Sequence, residues 1–185
     1  MKSKQLPGDS AWWMFLTAEF LTLCLFFCVF AVMRSNNLDA FEESQSQLDI
    51  HGAFVNTLVL MTSGMFAALS VHLVRASRAK TASVTLSAAI ILGILFVALK
   101  TNEYIDKYSM GYTLGSSDFF FFYYFLTGFH YLHVLLGIVF LSYVLFKTMR
   151  GNIDAALIRN TESSAAFWHM LDLVWIIIFP LLYLL

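Results

Sequence analysis

The chain has 185 residues, of which 59% are hydrophobic, 17% aromatic and only 12% charged, and its mean hydropathy is +0.74. Soluble domains carry about 25% charged residues, so a water-soluble fold would leave too much apolar surface exposed. A formal net charge of −1, without a Lys/Arg cluster in the sequence, gives no sign of a nucleic-acid partner. Composition therefore predicts a polytopic membrane protein.

Five apolar segments are each long enough to cross ~30 Å of hydrocarbon at ~1.5 Å per residue. They cover residues of about 11–33, 53–74, 82–99, 119–146 and 165–185. Backbone groups find no water partner in lipid, so each segment is predicted to be a helix. The predicted fold is all-α, a single membrane domain (1–185) of five transmembrane helices. The first segment is too long for the apolar part of a signal peptide, so we expect it to be retained.

Polar residues precede three of these segments and are typical of helix N-caps. They are Asp9-Ser10 before span one, Ser116-Ser117-Asp118 before span four and the residues from Thr161 to Ser164 before span five. Pro180 is expected to kink or bulge span five.

The distribution of Lys and Arg predicts the orientation. The N-terminus and the second and fourth loops hold eight of them, against three on the other side. The eight are Lys2, Lys4, Arg75, Arg78, Lys80, Lys147, Arg150 and Arg159, and the three are Arg34, Lys100 and Lys107. The N-terminus is therefore expected to be cytoplasmic and the C-terminus periplasmic.

Two polar positions lie at a similar depth in spans one and five. Glu19 is ~12 Å below the cytoplasmic end, where a carboxyl group must be protonated or meet a partner or a water-filled cavity. His169 and Asp172 are three residues apart and so share a helix face, where they can satisfy each other. For Glu19, a neutral interhelical hydrogen bond and a role in proton handling or lipid binding both remain open.

His130 and His133 lie on one face of span four. They cannot bind opposite faces of one haem iron, so a haem would need one of them and His169 from span five. A metal site formed with Glu19 and Asp172 is chemically possible. We expect instead two neutral histidines that tie span four to its neighbours through hydrogen bonds.

His72, Arg75 and Arg78 end span two at the predicted cytoplasmic face. They are either ordinary flanking charges or a site for an anionic phospholipid head group. Cys24 and Cys28 lie within span one and are read as small hydrophobic residues. Small residues at 63–64 and 67–68 permit close helix packing, and Asn56 and Thr57 can add interhelical hydrogen bonds.

The sequence resembles subunit III of haem–copper oxidases over essentially its whole length. Leu126-Thr-Gly-Phe-His-Tyr-Leu-His-Val-Leu-Leu-Gly137 is similar to the family signature Thr-Gly-Phe-His-Gly-x-His-Val. Phe167-Trp-His-Met-Leu-Asp-Leu-Val-Trp175 resembles its closing Trp-His-Phe-x-Asp-x-x-Trp, and Phe15-Leu-Thr-Ala-Glu-Phe20 its first shared helix. Residues 56–64 and Glu103-Tyr104 match two further landmarks.

Within the family, the chain looks like the short five-helix branch, and its two ends look most like the members associated with nitric-oxide reductase. Tyr131 stands where the oxidases have Gly, which supports that branch and narrows the groove beside span four. The resemblance implies a non-catalytic accessory subunit in the bacterial inner membrane that supports assembly, lipid binding and sustained proton uptake. Its partner would be the catalytic subunit of a cytochrome oxidase or nitric-oxide reductase, which holds the haem and metal, while this chain has no cofactor beyond a bound phospholipid.

Under the same resemblance, five matched positions are expected to be structural or proton-active groups rather than catalysts: Glu19, His130, His133, His169 and Asp172. Two other functions use the same residues. One is a small proton-coupled transporter, against which the lack of an inverted repeat argues. The other is a membrane electron carrier with b-type haem, whose absorption spectrum would reveal it.

Overall fold

The computed structural model describes residues 10–151 and 153–185 of the chain, and these form six helices. In chain order they are α1 (Ser10–Asn36), α2 (Leu38–Gln45), α3 (Ile50–Arg75), α4 (Ala79–Ser109), α5 (Asp118–Met149) and α6 (Ala155–Tyr183). All except α2 are long and apolar enough to cross a membrane. The prediction of an all-α protein with five spans is confirmed.

The helices extend beyond the apolar segments, most of all α4 and α6. α4 has 31 residues, about 46 Å, and continues ten residues past the predicted end of span three. α6 begins at Ala155 because Asp154 caps it, its carboxylate accepting from Leu157 N at 2.7 Å. The predicted start between Thr161 and Ser164 is therefore wrong, since Thr161 lies inside the helix and its hydroxyl donates to Leu157 O.

The cap predicted before α5 is correct. Ser117 is extended and its hydroxyl accepts from Phe120 N at 3.2 Å. The cap predicted at Asp9 lies outside the described residues.

The short helix α2 was not predicted, because its eight residues read as part of an acidic loop. Phe41 anchors it, with 2% of its surface exposed. Its ring packs edge-on against Phe30 of α1 and Phe119 of α5, at centroid distances of 5.6 and 5.9 Å. This helix therefore closes one end of the bundle over the junction of α1 and α5.

The helices α3 to α6 form a four-helix bundle in which α3 packs on α4 and α6, and α5 packs on the same two helices. α1 lies outside this bundle and packs mainly along α5. The connections of the bundle are short, so successive helices run antiparallel. Trp168 sits at the bundle centre, fully buried between Gly93 of α4 and Gly137 of α5.

The two ends of the bundle differ in charge. The end where α2 lies is here named the acidic end, and its acidic residues are Asp39, Glu42, Glu43, Asp49, Glu103, Asp106 and Asp118. The opposite, basic end carries His72, Arg75, Arg78, Lys80, Lys147, Arg150 and Arg159. The polar groups between these ends form the candidate site.

Candidate functional site

Glu19 and His133 meet where α1 packs along α5. The carboxylate Oε2 is 3.6 Å from His133 Nε2, and both side chains are largely buried. His133 Nδ1 is 2.8 Å from the carbonyl of Phe129, which can only accept, so Nδ1 carries a proton. Nε2 is therefore the atom that can share a second proton with Glu19. This contact is a polar side-chain link between α1 and the bundle.

His169 and Asp172 pair on α6 and face α3. His169 Nδ1 lies 3.2 Å from Asp172 Oδ2, and Asp172 is 4% exposed. Gly64 of α3 makes room for this carboxylate, because a β-carbon there would lie 2.0 Å from Oδ2. Asp172 Oδ1 has no hydrogen-bond partner among the described residues.

His130 lies between aromatic rings in the bundle core, 2% exposed. Its ring centroid is 5.8 Å from that of Phe96 and 5.1 Å from that of Trp175. Neither ring nitrogen has a hydrogen-bond partner among the described residues. The expectation that this histidine ties its helix to a neighbour through a hydrogen bond is therefore wrong.

The five predicted residues thus form two separate pairs and one histidine without a hydrogen-bond partner among the described residues, rather than a single hydrogen-bonded seam. A cavity of about 10 Å³ beside Glu19, His130 and His133 has room for about one water molecule. In residues 10–151 and 153–185, no three or more His, Cys, Asp or Glu side chains are placed to hold a metal ion.

A more extensive buried polar network lies elsewhere in the described part of the chain, around Lys100. Although the sequence placed this lysine in a loop, it is 0% exposed inside α4. Its Nζ lies 3.0 Å from Glu103 Oε2 and 2.6 Å from the hydroxyl of Tyr183. Tyr123 and Tyr183 each donate to Glu103 Oε1, at 2.7 and 2.6 Å. The network joins α4, α5 and α6 near the acidic end.

Lys100 is also surrounded by aromatic rings. Its Nζ lies between 4.7 and 5.5 Å from the ring centroids of four of them, which are Tyr104, Tyr123, Trp175 and Tyr183. Ring faces attract cations, so a charged lysine is stabilised there. One feature of the sequence could have predicted the Lys100–Glu103 pair: the two residues are three apart and so lie on the same face of a helix.

Two polar residues near the start of α3, Asn56 and Thr57, differ in whether they form an interhelical hydrogen bond. Trp175 Nε1 donates to Thr57 Oγ1 at 2.9 Å, which is the expected interhelical bond. Asn56 is 2% exposed, and neither amide atom has a partner among the described residues.

At the basic end, Arg75 pairs with Glu162 of α6 through a contact of 2.8 Å between Nε and Oε1. His72 and Arg78 are exposed. The three predicted head-group residues therefore share one end of the bundle, with Arg75 partly engaged by protein.

The comparisons with known proteins agree on one family. The model of the cytochrome c oxidase subunit III family matches residues 10–185. Quinol oxidase subunit 3 of Bacillus subtilis is 26% identical over 172 residues, which are 93% of this chain and 84% of that protein.

Other relatives are longer. Cytochrome c oxidase subunit 3 of Prototheca wickerhamii is 28% identical over 130 residues, 70% of this chain and 48% of that protein. The Heme-copper oxidase subunit I+III of Aeropyrum pernix is 26% identical over 181 residues, 95% of this chain and 22% of that protein. The chain thus spans about half the length of the Prototheca relative and most of the length of the Bacillus one.

Proposed function

The chain belongs to the cytochrome c oxidase subunit III family, and from this membership we propose that it packs in the membrane against the catalytic subunit of a haem–copper oxidase complex as a non-catalytic accessory subunit. The observation that carries this proposal is the likeness to a protein whose name, Heme-copper oxidase subunit I+III, combines a subunit I with a subunit III. The haem and metal belong to the partner in this proposal, and the chain itself binds no cofactor other than phospholipid.

The position of α1 supports such a docking role. Its exposed apolar residues include Met14, Leu21, Leu25 and Val32, with exposed fractions between 59% and 73%. Within the described part of the chain, α1 packs mainly on α5 and α2. Much of its surface is therefore free to contact lipid or a membrane partner.

The charge difference between the two ends supports an orientation. The basic end would face the cytoplasm of a bacterial cell and the acidic end the periplasm. His72 and Arg78 would then reach anionic head groups of the inner leaflet.

The residue type at position 131 supports a nitric-oxide reductase as a second candidate partner. The hydroxyl of Tyr131 lies 3.0 Å from Thr101 Oγ1, and its ring centroid is 6.0 Å from that of Tyr104. Tyr131 thus fills the groove between α5 and α4 that a glycine would leave open. This substitution is the feature that resembles the reductase-associated members, so a role in denitrification is our second candidate.

A pull-down tests the proposal. The tagged chain is extracted in mild detergent, and the captured proteins are separated and stained for haem. We expect a haem-bearing partner, and deletion of the chain should shorten the period of sustained turnover. Oxygen and nitric-oxide consumption by the deletion strain distinguish the two partners. Purification of the chain alone, together with unchanged turnover of both gases, would refute both candidates.

A further inference from the structure

A cavity of about 290 Å³ lies at the acidic end, between the start of α3 and the end of α4. It is separate from the two carboxylate–histidine pairs. The residues that line it and bear on its chemistry are Asp49, Asn56, Asn102, Glu103, Asp106 and Lys107.

Asn56 is the most deeply buried polar residue of those named in this lining. It is 2% exposed, and its amide oxygen and nitrogen both lack a hydrogen-bond partner among the described residues. An unsatisfied buried polar atom costs about 1–3 kcal/mol. Because the amide both accepts and donates, it points to a ligand in the cavity that carries an N–H or O–H group and an oxygen.

The charges around the cavity favour a cationic ligand. The carboxylate of Glu103 is occupied by Lys100 and two tyrosine hydroxyls. Lys107 is buried, and its ammonium donates to the carbonyl of Gln47. Asp106 is exposed, and its carboxylate has no hydrogen-bond or ion-pair partner in the described ranges. Negative charge therefore remains unpaired at the cavity.

The acidic groups do not converge on one point. No three of them in residues 10–151 and 153–185 come close enough to hold a metal ion. Separated acceptors suit a ligand whose N–H bonds point in several directions, as those of an ammonium group do. We propose that this cavity binds a primary ammonium group, which donates to the Asp106 carboxylate and the Asn56 amide oxygen. The Asn56 amide N–H then donates to an oxygen of the same ligand.

Ethanolamine has this chemistry, and it occurs both as a free amine and as a lipid head group. α4 is about 46 Å long, so its last residues project beyond ~30 Å of hydrocarbon to the level of head groups. Either source can therefore reach the cavity, and the experiment must separate them.

The full chain, labelled with ¹⁵N at asparagine side chains, is reconstituted in phosphatidylcholine nanodiscs. The Asn56 amide signal, identified by its loss in Asn56→Ser, is followed as ethanolamine is added. Choline serves as the control ligand, because it has the same charge and no N–H bond. We expect saturable shifts with ethanolamine and none with choline.

Variants then test the site itself. Asp106→Asn should weaken ethanolamine binding about ten-fold, the equivalent of a lost charge-assisted hydrogen bond. Asp118→Asn makes the same charge change at the same end, outside the cavity lining, and should leave binding unchanged. Both residues are exposed, so neither variant should impair folding.

The outcomes are distinct. Nanodiscs of phosphatidylethanolamine that reproduce the shifted Asn56 signal identify a lipid head group, and a response to the free amine alone identifies a diffusible ligand. Equal responses to choline and ethanolamine, no response to either, or equal losses in Asp106→Asn and Asp118→Asn would each overturn the proposal. None of these results depends on the partner subunit, so the proposed function is tested separately.

Discussion

Asp172 and Gly64 are in such close contact that a side chain at position 64 would collide with the carboxylate unless the carboxylate moved. A β-carbon on Gly64 would lie 2.0 Å from Asp172 Oδ2 and 3.0 Å from Cγ. The contact joins α3 to α6 at the level of the His169–Asp172 pair, so it fixes where that pair sits within the bundle.

Gly64→Ala should therefore destabilise the protein by about 1–3 kcal/mol, the usual cost of overpacking a core. Unfolding of the purified chain in mixed micelles gives the free energy. Gly128→Ala is the matched control, because a β-carbon there meets nothing within 4 Å, and alanine is the better helix former. A loss for Gly128→Ala as large as that for Gly64→Ala would contradict this explanation.

Trp168 imposes a similar restriction on two other helices. A β-carbon at Gly93 or at Gly137 would lie 2.7 Å from a carbon of the indole ring. Gly137→Ala should destabilise the chain by roughly 1–3 kcal/mol, and less in a Trp168→Leu background. The indole Nε1 has no hydrogen-bond partner among the described residues, so Trp168→Leu removes no hydrogen bond from them. Equal costs in both backgrounds, measured by a double-mutant cycle, would show that the ring is not the cause.

Removing the charge of Lys100 should be more damaging than removing any surface lysine. Lys100→Met leaves the carboxylate of Glu103 without its cation, and breaking a buried pair costs about 3–5 kcal/mol. Adding Glu103→Gln should restore part of that loss, since no unpaired charge remains. Thermal unfolding in detergent measures the change, and Lys147→Met, at an exposed position, is the control. If Lys100→Met unfolded at the same temperature as the wild type, the Lys100–Glu103 pair would contribute little to stability.

Much of the fold follows from hydrophobic length, because lipid leaves an apolar segment little choice but to be a helix. The number of spans and their order could be predicted on this basis, and the Ser117 cap could be predicted from the polar residues that precede span four. The helix ends were less predictable. The stretch 100–109 is too polar to be predicted as membrane-spanning, yet it is helical, and Lys100 there pairs with Glu103 of the same helix and with Tyr183 of α6.

The site was predictable only where partners lie close in sequence. His169 and Asp172 are one helical turn apart, and the structure brings them together. Glu19 and His133 come from different helices, so their meeting depends on packing. The isolation of His130 and the ring of tyrosines around Lys100 depend on three or four helices at once. Neither can be read from spacing along one segment.

The acidic members of the two carboxylate–histidine pairs are expected to affect assembly rather than insertion. Glu19→Gln and Asp172→Asn preserve side-chain size, so the helices should still enter the membrane and the chain should accumulate normally. Glu19→Gln replaces the carboxyl group through which α1 meets His133, and a loss of about 1 kcal/mol would weaken partner binding roughly five-fold. Asp172→Asn weakens the pair with His169, so we expect faster loss of turnover with time.

Haem recovered per tagged chain measures assembly, and the half-life of turnover in the isolated complex measures lasting activity. Glu42→Gln, an exposed carboxylate of α2, is the control and should match the wild type in both. His133→Gln should reproduce the effect of Glu19→Gln, because either change removes the same contact. Wild-type haem recovery and half-life in Glu19→Gln and Asp172→Asn would mean that the buried carboxylates have no part in assembly or in lasting activity.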